Sequence, residues 1–392
     1  MEFEFWWLLA IPLFFGLGWF AARLDLREAL SQSRRLPDSY FKGLNFLLNE
    51  QPDKAIDAFV DVVRLDPETV ELHFALGNLF RRRGETDRAI RVHQNLLSRT
   101  DLDTGQREHA LYSLALDFMK AGLLDRAEDA LNQLAGSAYA RAALEHRLEL
   151  AQMVRDWALA VKLASELAAH GDRGLAARIA HFHCELAQAV LSGSQADRFE
   201  VAERAIAAAL EASANAPRAW LLRATVARAQ GEHERAVTAL GTLAELSPEH
   251  VALAAEHWLE TFAQAGRAEQ GLEALESVHR QAPSIDTFTA LMRGRERLHG
   301  AAAAIAWARA ELAASPSLLG LEALLKLNPP PPEAPDELTI ASGLVDAQVR
   351  KLARYVCGHC GLKARQYYWQ CPGCNRWDTY APRRGEELEA RR

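Results

Sequence analysis

Gly43, Phe46 and Ala55 recur as Gly77, Phe80 and Ala89, each displaced by 34 residues, and no other feature of the 392-residue chain restricts its fold as much. Each repeated position has a physical reason. A glycine at 43 or 77 lets the first helix of a unit lie close to the second. The aromatic ring three residues on fills the gap between helices, and Ala55 or Ala89 keeps the second crossing tight. Pro67 ends the unit, because a proline nitrogen cannot donate the next backbone hydrogen bond. Later copies are more degenerate. Leu114, Ala115, Phe118, Gly122 and Ala127 make a third; Asp156, Trp157 and Ala160 sit at the turn and second helix of a fourth; Ala205, Ala209 and Pro217 suit a fifth. Trp220, Ala224, Gly231, Ala236, Leu240 and Pro248 form the clearest, and Phe262, Gly266, Leu275 and Pro283 a seventh. An alanine-rich unit from Asp286 to Pro316 closes the series.

With Phe59 and Pro67 added, the first unit reads G-x2-F…A-x3-F…P and resembles the tetratricopeptide pattern. The expected fold is all-α, a right-handed superhelical tetratricopeptide-repeat (TPR) solenoid over residues 37–327, with Leu318–Leu327 as a capping helix. First helices of successive units then line a concave groove that takes peptides or protein surfaces. A fold names no partner by itself. A composition of 49% apolar and 25% charged residues supplies the core such a stack needs and excludes disorder or a fibre.

Ahead of the repeats, residues 5–22 (FWWLLAIPLFFGLGWFAA) carry no charge and match the roughly 18–20 apolar residues that cross a bilayer core. Trp6, Trp7 and Trp19 stand near the two ends, where amphipathic rings anchor. Glu2 and Glu4 occupy the place where a cleaved signal peptide is basic. The basic flank, Arg23, Arg27, Arg34 and Arg35, lies on the other side, so the rest of the chain is expected in the cytoplasm. We read a transmembrane anchor at 1–22 and a basic juxtamembrane segment at 23–36. After the repeats, Asn328 to Asp336 (NPPPPEAPD) favours a stiff polyproline spacer over a ligand for aromatic-grooved modules. Residues 337–392 form a last module, opened by an amphipathic segment from Glu337 to Arg354.

The strongest chemical signal is Cys357-Gly-His-Cys360-Gly and, ten residues on, Cys371-Pro-Gly-Cys374-Asn. Two C-x2-C turns each supply two corners of a tetrahedron, and Gly361 and Asn375 tolerate the left-handed backbone that such turns require. Tetrahedral coordination by four sulfurs suits zinc or a single iron, with zinc expected in a reducing cytoplasm. Protein fills all four positions, so Cys357, Cys360, Cys371 and Cys374 describe a structural site with no open coordination. A thioredoxin-like redox pair competes poorly, since that motif occurs once and at a strand-to-helix junction. His359, inside the first turn, is expected to stay exposed rather than bind the metal. His181, His183 and Cys184 crowd one helix but do not share a face, so an ordinary helix with a buried Cys184 is the reading there.

No catalytic residues are predicted: G-x4-G-K-[ST], H-E-x-x-H, G-x-S-x-G and G-x-G-x-x-G are all absent. The net charge of −7 does not mark a nucleic-acid binder, although residues 350–392 hold ten Lys/Arg against four acids. Basic and aromatic residues interleave around Tyr367, Tyr368, Trp369, Trp377 and Tyr380. They could read bases, or form the ribbon core plus a protein-docking face; the second is favoured and nucleic acid is not expected.

Together the anchor, the repeats and YVCGHCGLKARQYYWQCPGCNRWDTYAP at 355–382, with Tyr368, Trp369, Cys371, Pro372, Cys374 and Trp377 as its core, resemble the lipopolysaccharide assembly protein B family of Gram-negative bacteria. The resemblance implies a small C-terminal rubredoxin-like zinc ribbon and a non-enzymatic adaptor, single-pass in the bacterial inner membrane with its bulk on the cytoplasmic side. It implies as partners the membrane AAA+ protease FtsH, the deacetylase that commits precursor to lipid A, an inner-membrane lipopolysaccharide sensor and transport components. Promoted proteolysis of the deacetylase would restrain lipopolysaccharide synthesis. Two other readings stand beside it. DNA-repair recombinase paralogues bear a similar ribbon, but with an ATPase phosphate loop that this chain lacks, so a nucleic-acid-associated protein is the alternative. An oxidoreductase on an iron-loaded centre would be red.

Overall fold

The computed structural model describes residues 51–65, 69–171, 173–329 and 336–389, with positions 19, 42, 43, 45, 46 and 49 ahead of them. Apart from Trp19, the predicted anchor and the juxtamembrane segment lie outside the described residues, as does most of the proline spacer. Among the described residues no helix is long and apolar enough to cross a membrane. The fold is an all-helical tetratricopeptide stack with a small ribbon at its C-terminal end. It divides into two compact units, 1–154 and 155–392.

The first unit holds α1 (Pro52–Leu65), α2 (Val70–Arg83), α3 (Thr86–Leu97), α4 (Thr104–Ala121), α5 (Leu124–Asn132) and α6 (Ala140–Met153). Helix starts and stops follow local chemistry. Asp103 accepts the Gln106 N–H at 2.7 Å while the Gln106 side chain reaches back to the Asp103 N–H, so two end donors of α4 are satisfied. The small repeat residues act as expected. A methyl group on Gly77 would stand 2.5 Å from the His93 imidazole, so only glycine lets α2 and α3 approach this closely. Ala55, Ala89, Ala115 and Ala127 are completely buried. A polar network threads this apolar stack: His93 Nδ1 meets Asp117 at 2.5 Å, and Arg81 donates to the other Asp117 oxygen at 2.8 Å. Both His93 and Asp117 are fully buried. Alongside runs a stack of rings, with Phe74 on His109 at 4.1 Å and Tyr112 on Tyr139 at 4.8 Å.

The second unit continues with α7 (Trp157–Ala169), α8 (Ala176–Leu191), α9 (Arg198–Ala212), α10 (Pro217–Ala229), α11 (His233–Leu246), α12 (Ala255–Gln264), α13 (Ala268–Gln281), α14 (Ile285–His299), α15 (Ala301–Ala314) and α16 (Leu318–Leu327). Pro217 and Pro248 do not end helices. They begin the next ones, α10 and a 3-10 turn at Pro248–Leu253, because a first-turn nitrogen has no partner to lose and the ring presets φ. The centre of this unit is Trp258, which is fully buried and donates its indole N–H to the Gly271 carbonyl at 2.9 Å. Burying a side chain of that size contributes on the order of 3 kcal/mol, and Gly271 again admits the approach, since a methyl group there would meet Phe262 at 2.5 Å. The odd-numbered α9, α11, α13 and α15 are second helices. The even-numbered α8, α10, α12, α14 and α16 are first helices and share one face. The chain then forms α17 (Asp336–Leu352), the antiparallel pair β1 (Tyr355–Val356) and β2 (Lys363–Ala364), and a short α18 (Gly385–Glu389).

Candidate metal centre

Two turns of identical design make the centre. In the first, the Gly361 N–H returns to the Cys357 carbonyl at 3.0 Å and Gly361 takes φ +75°; in the second, the Asn375 N–H returns to Cys371 at 2.8 Å with φ +55°. Only Gly and short polar residues enter that left-handed region at low cost, which is why these residue types follow each second cysteine. The reversal aims backbone N–H groups at sulfur: Cys360 to Cys357 Sγ at 3.5 Å and Gly373 to Cys371 Sγ at 3.4 Å. The β1–β2 pair carries the first turn, a lone bridge from Gln370 to Trp377 closes the second, and one from Cys357 to Tyr380 joins the two.

The sulfurs of Cys357, Cys360, Cys371 and Cys374 all lie within 4.8 Å of one another. Cys357–Cys374 is 3.9 Å and Cys360–Cys371 is 3.6 Å. A tetrahedron with metal–sulfur bonds of about 2.3 Å has edges of about 3.8 Å, close to these two separations, so the donor set is of the size that holds one metal ion. The ribbon thus carries a metal-binding site of four cysteines. His359 is exposed and outside the cluster. Ionisation is uneven across the set. Burial pushes the Cys357 thiol up, but N–H groups of Cys360 and His359 and the Thr379 hydroxyl overcome it and bring it down to about 6. Cys360 receives the Leu362 N–H, yet desolvation and the sulfurs of Cys357, Cys371 and Cys374 together outweigh it and push it up to about 11. Four thiols in one small space resist ionising together unless a cation shares it, and a bound divalent ion deprotonates them outright.

The sequence sets this module apart behind a stiff spacer. In the structure the ribbon is instead seated on the first-helix face of the second unit. Trp377 stacks on His181 of α8 at 4.8 Å and meets Phe182 and Trp157 edge-on at 5.8 and 6.0 Å. Trp369 stacks on His250 at 5.6 Å. Both oxygens of Asp378 lie 2.9 Å from His181 Nε2. Arg384 grips Asp286 with two bonds of 2.7 and 3.1 Å and lies over the Tyr355 ring at 4.1 Å. Finally the two glutamates of α18 cap two repeat helices. Glu387 accepts the Ile285 N–H of α14 at 3.0 Å, and Glu386 accepts the Leu319 N–H of α16 at 3.2 Å and the Ser317 hydroxyl at 2.8 Å. A carboxylate at a helix N-terminus satisfies end donors and opposes the dipole.

Of the groups singled out in sequence, the four cysteines converge and Cys184 does not join them. It is fully buried in α8, and burial pushes its thiol up to about 12. His181, three residues before it, was hidden in that helix reading and becomes a contact of the ribbon. His250 loses basicity through burial, although the Glu249 and Asp378 carboxylates push the other way. Nothing local announces Asp286, Glu386 or Glu387.

Comparison with known proteins agrees with both parts. A family model described as a rubredoxin metal binding domain matches residues 355–382, and tetratricopeptide-repeat models match 72–108 and 186–250. The fold and the site therefore define a tetratricopeptide-repeat protein bearing a rubredoxin-type metal centre. The chain is 34% identical to lipopolysaccharide assembly protein B of Escherichia coli strain K12 over 382 residues, 96% of this chain and 97% of that one. It is 29% identical to the Haemophilus influenzae protein of the same name, with 97% and 98% covered. The chain belongs to the lipopolysaccharide assembly protein B family. Among solved structures, the C-terminal part of a repeat protein from Cytophaga hutchinsonii is 13% identical, covers 66% of this chain and 97% of its own, and has a TM-score of 0.36.

Proposed function

We propose that this protein is a non-enzymatic adaptor, anchored in the bacterial inner membrane by residues 1–22, that restrains lipopolysaccharide synthesis by bringing the lipid A-committing deacetylase to the protease FtsH. The observation that carries the reading is the joining of a repeat face and a metal ribbon into one surface within a family named for lipopolysaccharide assembly. The division into anchor, juxtamembrane segment 23–36, repeats 37–327, spacer 328–336 and ribbon module 337–392 belongs to the same proposal. So do the ligand roles of Cys357, Cys360, Cys371 and Cys374.

The metal is zinc in this reading. It supplies a cross-link between the two turns, and with four protein sulfurs it leaves no position for a substrate. The residues of the chain do the rest. Asp378, Trp377 and Arg384 orient the ribbon on the helices, and Glu386 and Glu387 fix the far end. The nucleic-acid alternative gains no support, because the Trp369 and Trp377 rings that would stack on bases are engaged by His250 and His181. Confinement by the anchor raises the effective concentration of weak partners without any new contact.

The test is the half-life of the deacetylase in cells depleted of this protein. We expect it to lengthen several-fold, and to be restored by the wild-type chain but not by Cys371→Ser. An unchanged half-life overturns the reading.

A further inference from the structure

Between the ribbon and the first helices of the second unit lies an open cavity of about 860 Å³ that the metal centre does not use. Its walls come from α10, α12 and α14 on one side and from the Tyr355–Trp369 stretch of the ribbon on the other. Five arginines line it against three carboxylates: Arg228, Arg293, Arg297, Arg365 and Arg384 against Glu256, Glu260 and Asp286. Two of those carboxylates are already taken, since Asp286 holds Arg384 at 2.7 Å and Glu260 holds Arg228 at 3.1 Å. Arg293, Arg297 and Arg365 form no ion pair among the described residues, and the buried Nε of Arg228 has no hydrogen-bond partner. The N-terminal turn of α12, whose cap residue Ala254 offers no side-chain oxygen, borders the same space and adds the positive end of its dipole. Between the charges the lining is apolar and aromatic, with Leu221, Leu253, Leu259, Tyr367 and Trp369.

We infer that this cleft binds an extended, acidic peptide segment of a protein partner. Guanidinium groups pair with carboxylates through two parallel hydrogen bonds, and a pair left without an acid in a half-enclosed space is a ready receptor. The spacing suits a chain rather than a single anion. Arg293 and Arg297 stand one helical turn apart, with Cβ atoms separated by about 5–6 Å. Carboxylates at alternate residues of an extended strand are about 6.6 Å apart, and the residues between them face the apolar lining. This deepens the adaptor reading by naming the chemistry of one partner, and it rests on that reading only for there being a protein partner.

The test is a fluorescence-polarisation titration of the full-length, zinc-loaded protein in detergent. The probe is a labelled eight-residue peptide with glutamate at alternate positions and alanine and leucine between them. Expected results are saturable binding, a loss of affinity of tenfold or more for the glutamine counterpart, and steep weakening between low and high salt. Arg293→Glu with Arg297→Glu should cost at least tenfold, and Arg365→Ala a few-fold. The three arginines are exposed and form no ion pair among the described residues, so zinc content and melting temperature should hold in these variants and separate lost binding from lost fold. Absent binding, or binding unchanged by the charge reversal, overturns the inference. So does displacement of the peptide by inorganic phosphate or phosphatidylglycerol vesicles at lower concentrations than by unlabelled peptide, which would assign the cleft to a phosphate. The titration reads binding directly, so its failure leaves the proteolytic reading untouched, and a failed half-life measurement leaves the cleft to be decided here.

Discussion

His93 and His181, one buried histidine from each unit, are held in different ways. In the first, His93 is sealed among helices and its partner Asp117 comes from the next repeat, 24 residues on, with Arg81 completing the set. In the second, His181 stays on the first-helix face, and its partner Asp378 comes from 197 residues away in the ribbon. A stack of repeats is stabilised by contacts between nearest neighbours. Among the described residues the first unit obeys that rule. The second breaks it, because the ribbon touches α8, α10, α14 and α16 together. Local damage should therefore stay local in the first unit and spread in the second.

Metal removal is the strongest way to break this comparison. Zinc binding supplies on the order of 10–16 kcal/mol in small zinc peptides, so chelation or Cys371→Ser should unfold residues 355–382. Because Trp377 and Trp369 then leave His181 and His250, hydrogen exchange should also quicken in α8 and at Pro248–Leu253. Amides of α2 to α5 should keep their protection. Equal loss in α2 to α5 would show that the two units do not respond separately.

A smaller effect tests the first unit. Asp117→Ala leaves His93 and Arg81 without their shared carboxylate, and breaking such a buried set costs about 3–5 kcal/mol. Urea unfolding followed by hydrogen exchange should show α2 to α5 weakened while bound zinc is unchanged. A drop in zinc content would put the damage beyond the nearest-neighbour stack.

The smallest effect is a dependence on pH. His250 gives up its proton more readily folded than unfolded, because burial disfavours its charge. Protonation below the unfolded value of about 6.5 therefore falls first on the unfolded chain. Stability declines as pH drops through that window and levels off below the folded value. His250→Gln should flatten the decline between neutral pH and the onset of metal loss, measured as melting temperature against pH. An identical slope in the variant would remove His250 from the account.

Much of this molecule was legible residue by residue. The 34-residue echo of Gly77, Phe80 and Ala89 specified helix pairs, because a helix crossing depends on which small side chain lies under it. Trp157 opens α7 where the repeat pattern places a second helix, with Asp156 accepting the Leu159 N–H at 3.0 Å. The proline positions misled in one respect. Pro217 and Pro248 mark helix beginnings, and a proline leaves the same signature on either side of a boundary. The helix reading of His181 to Cys184 agrees with α8, in which Cys184 is buried, but an exposed face and a docked face look alike along a single helix.

The sequence by itself determined the helical repeat and the convergence of four cysteines on one point, since both depend on spacings of a few residues. The tertiary structure alone decided where the ribbon sits, which histidines it covers, and that Arg384 and Asp286 meet across 98 residues of chain. Such pairings arise from how successive helices stack and present one face. The stacking sums many small rotations between neighbours, and no short stretch of sequence encodes that sum.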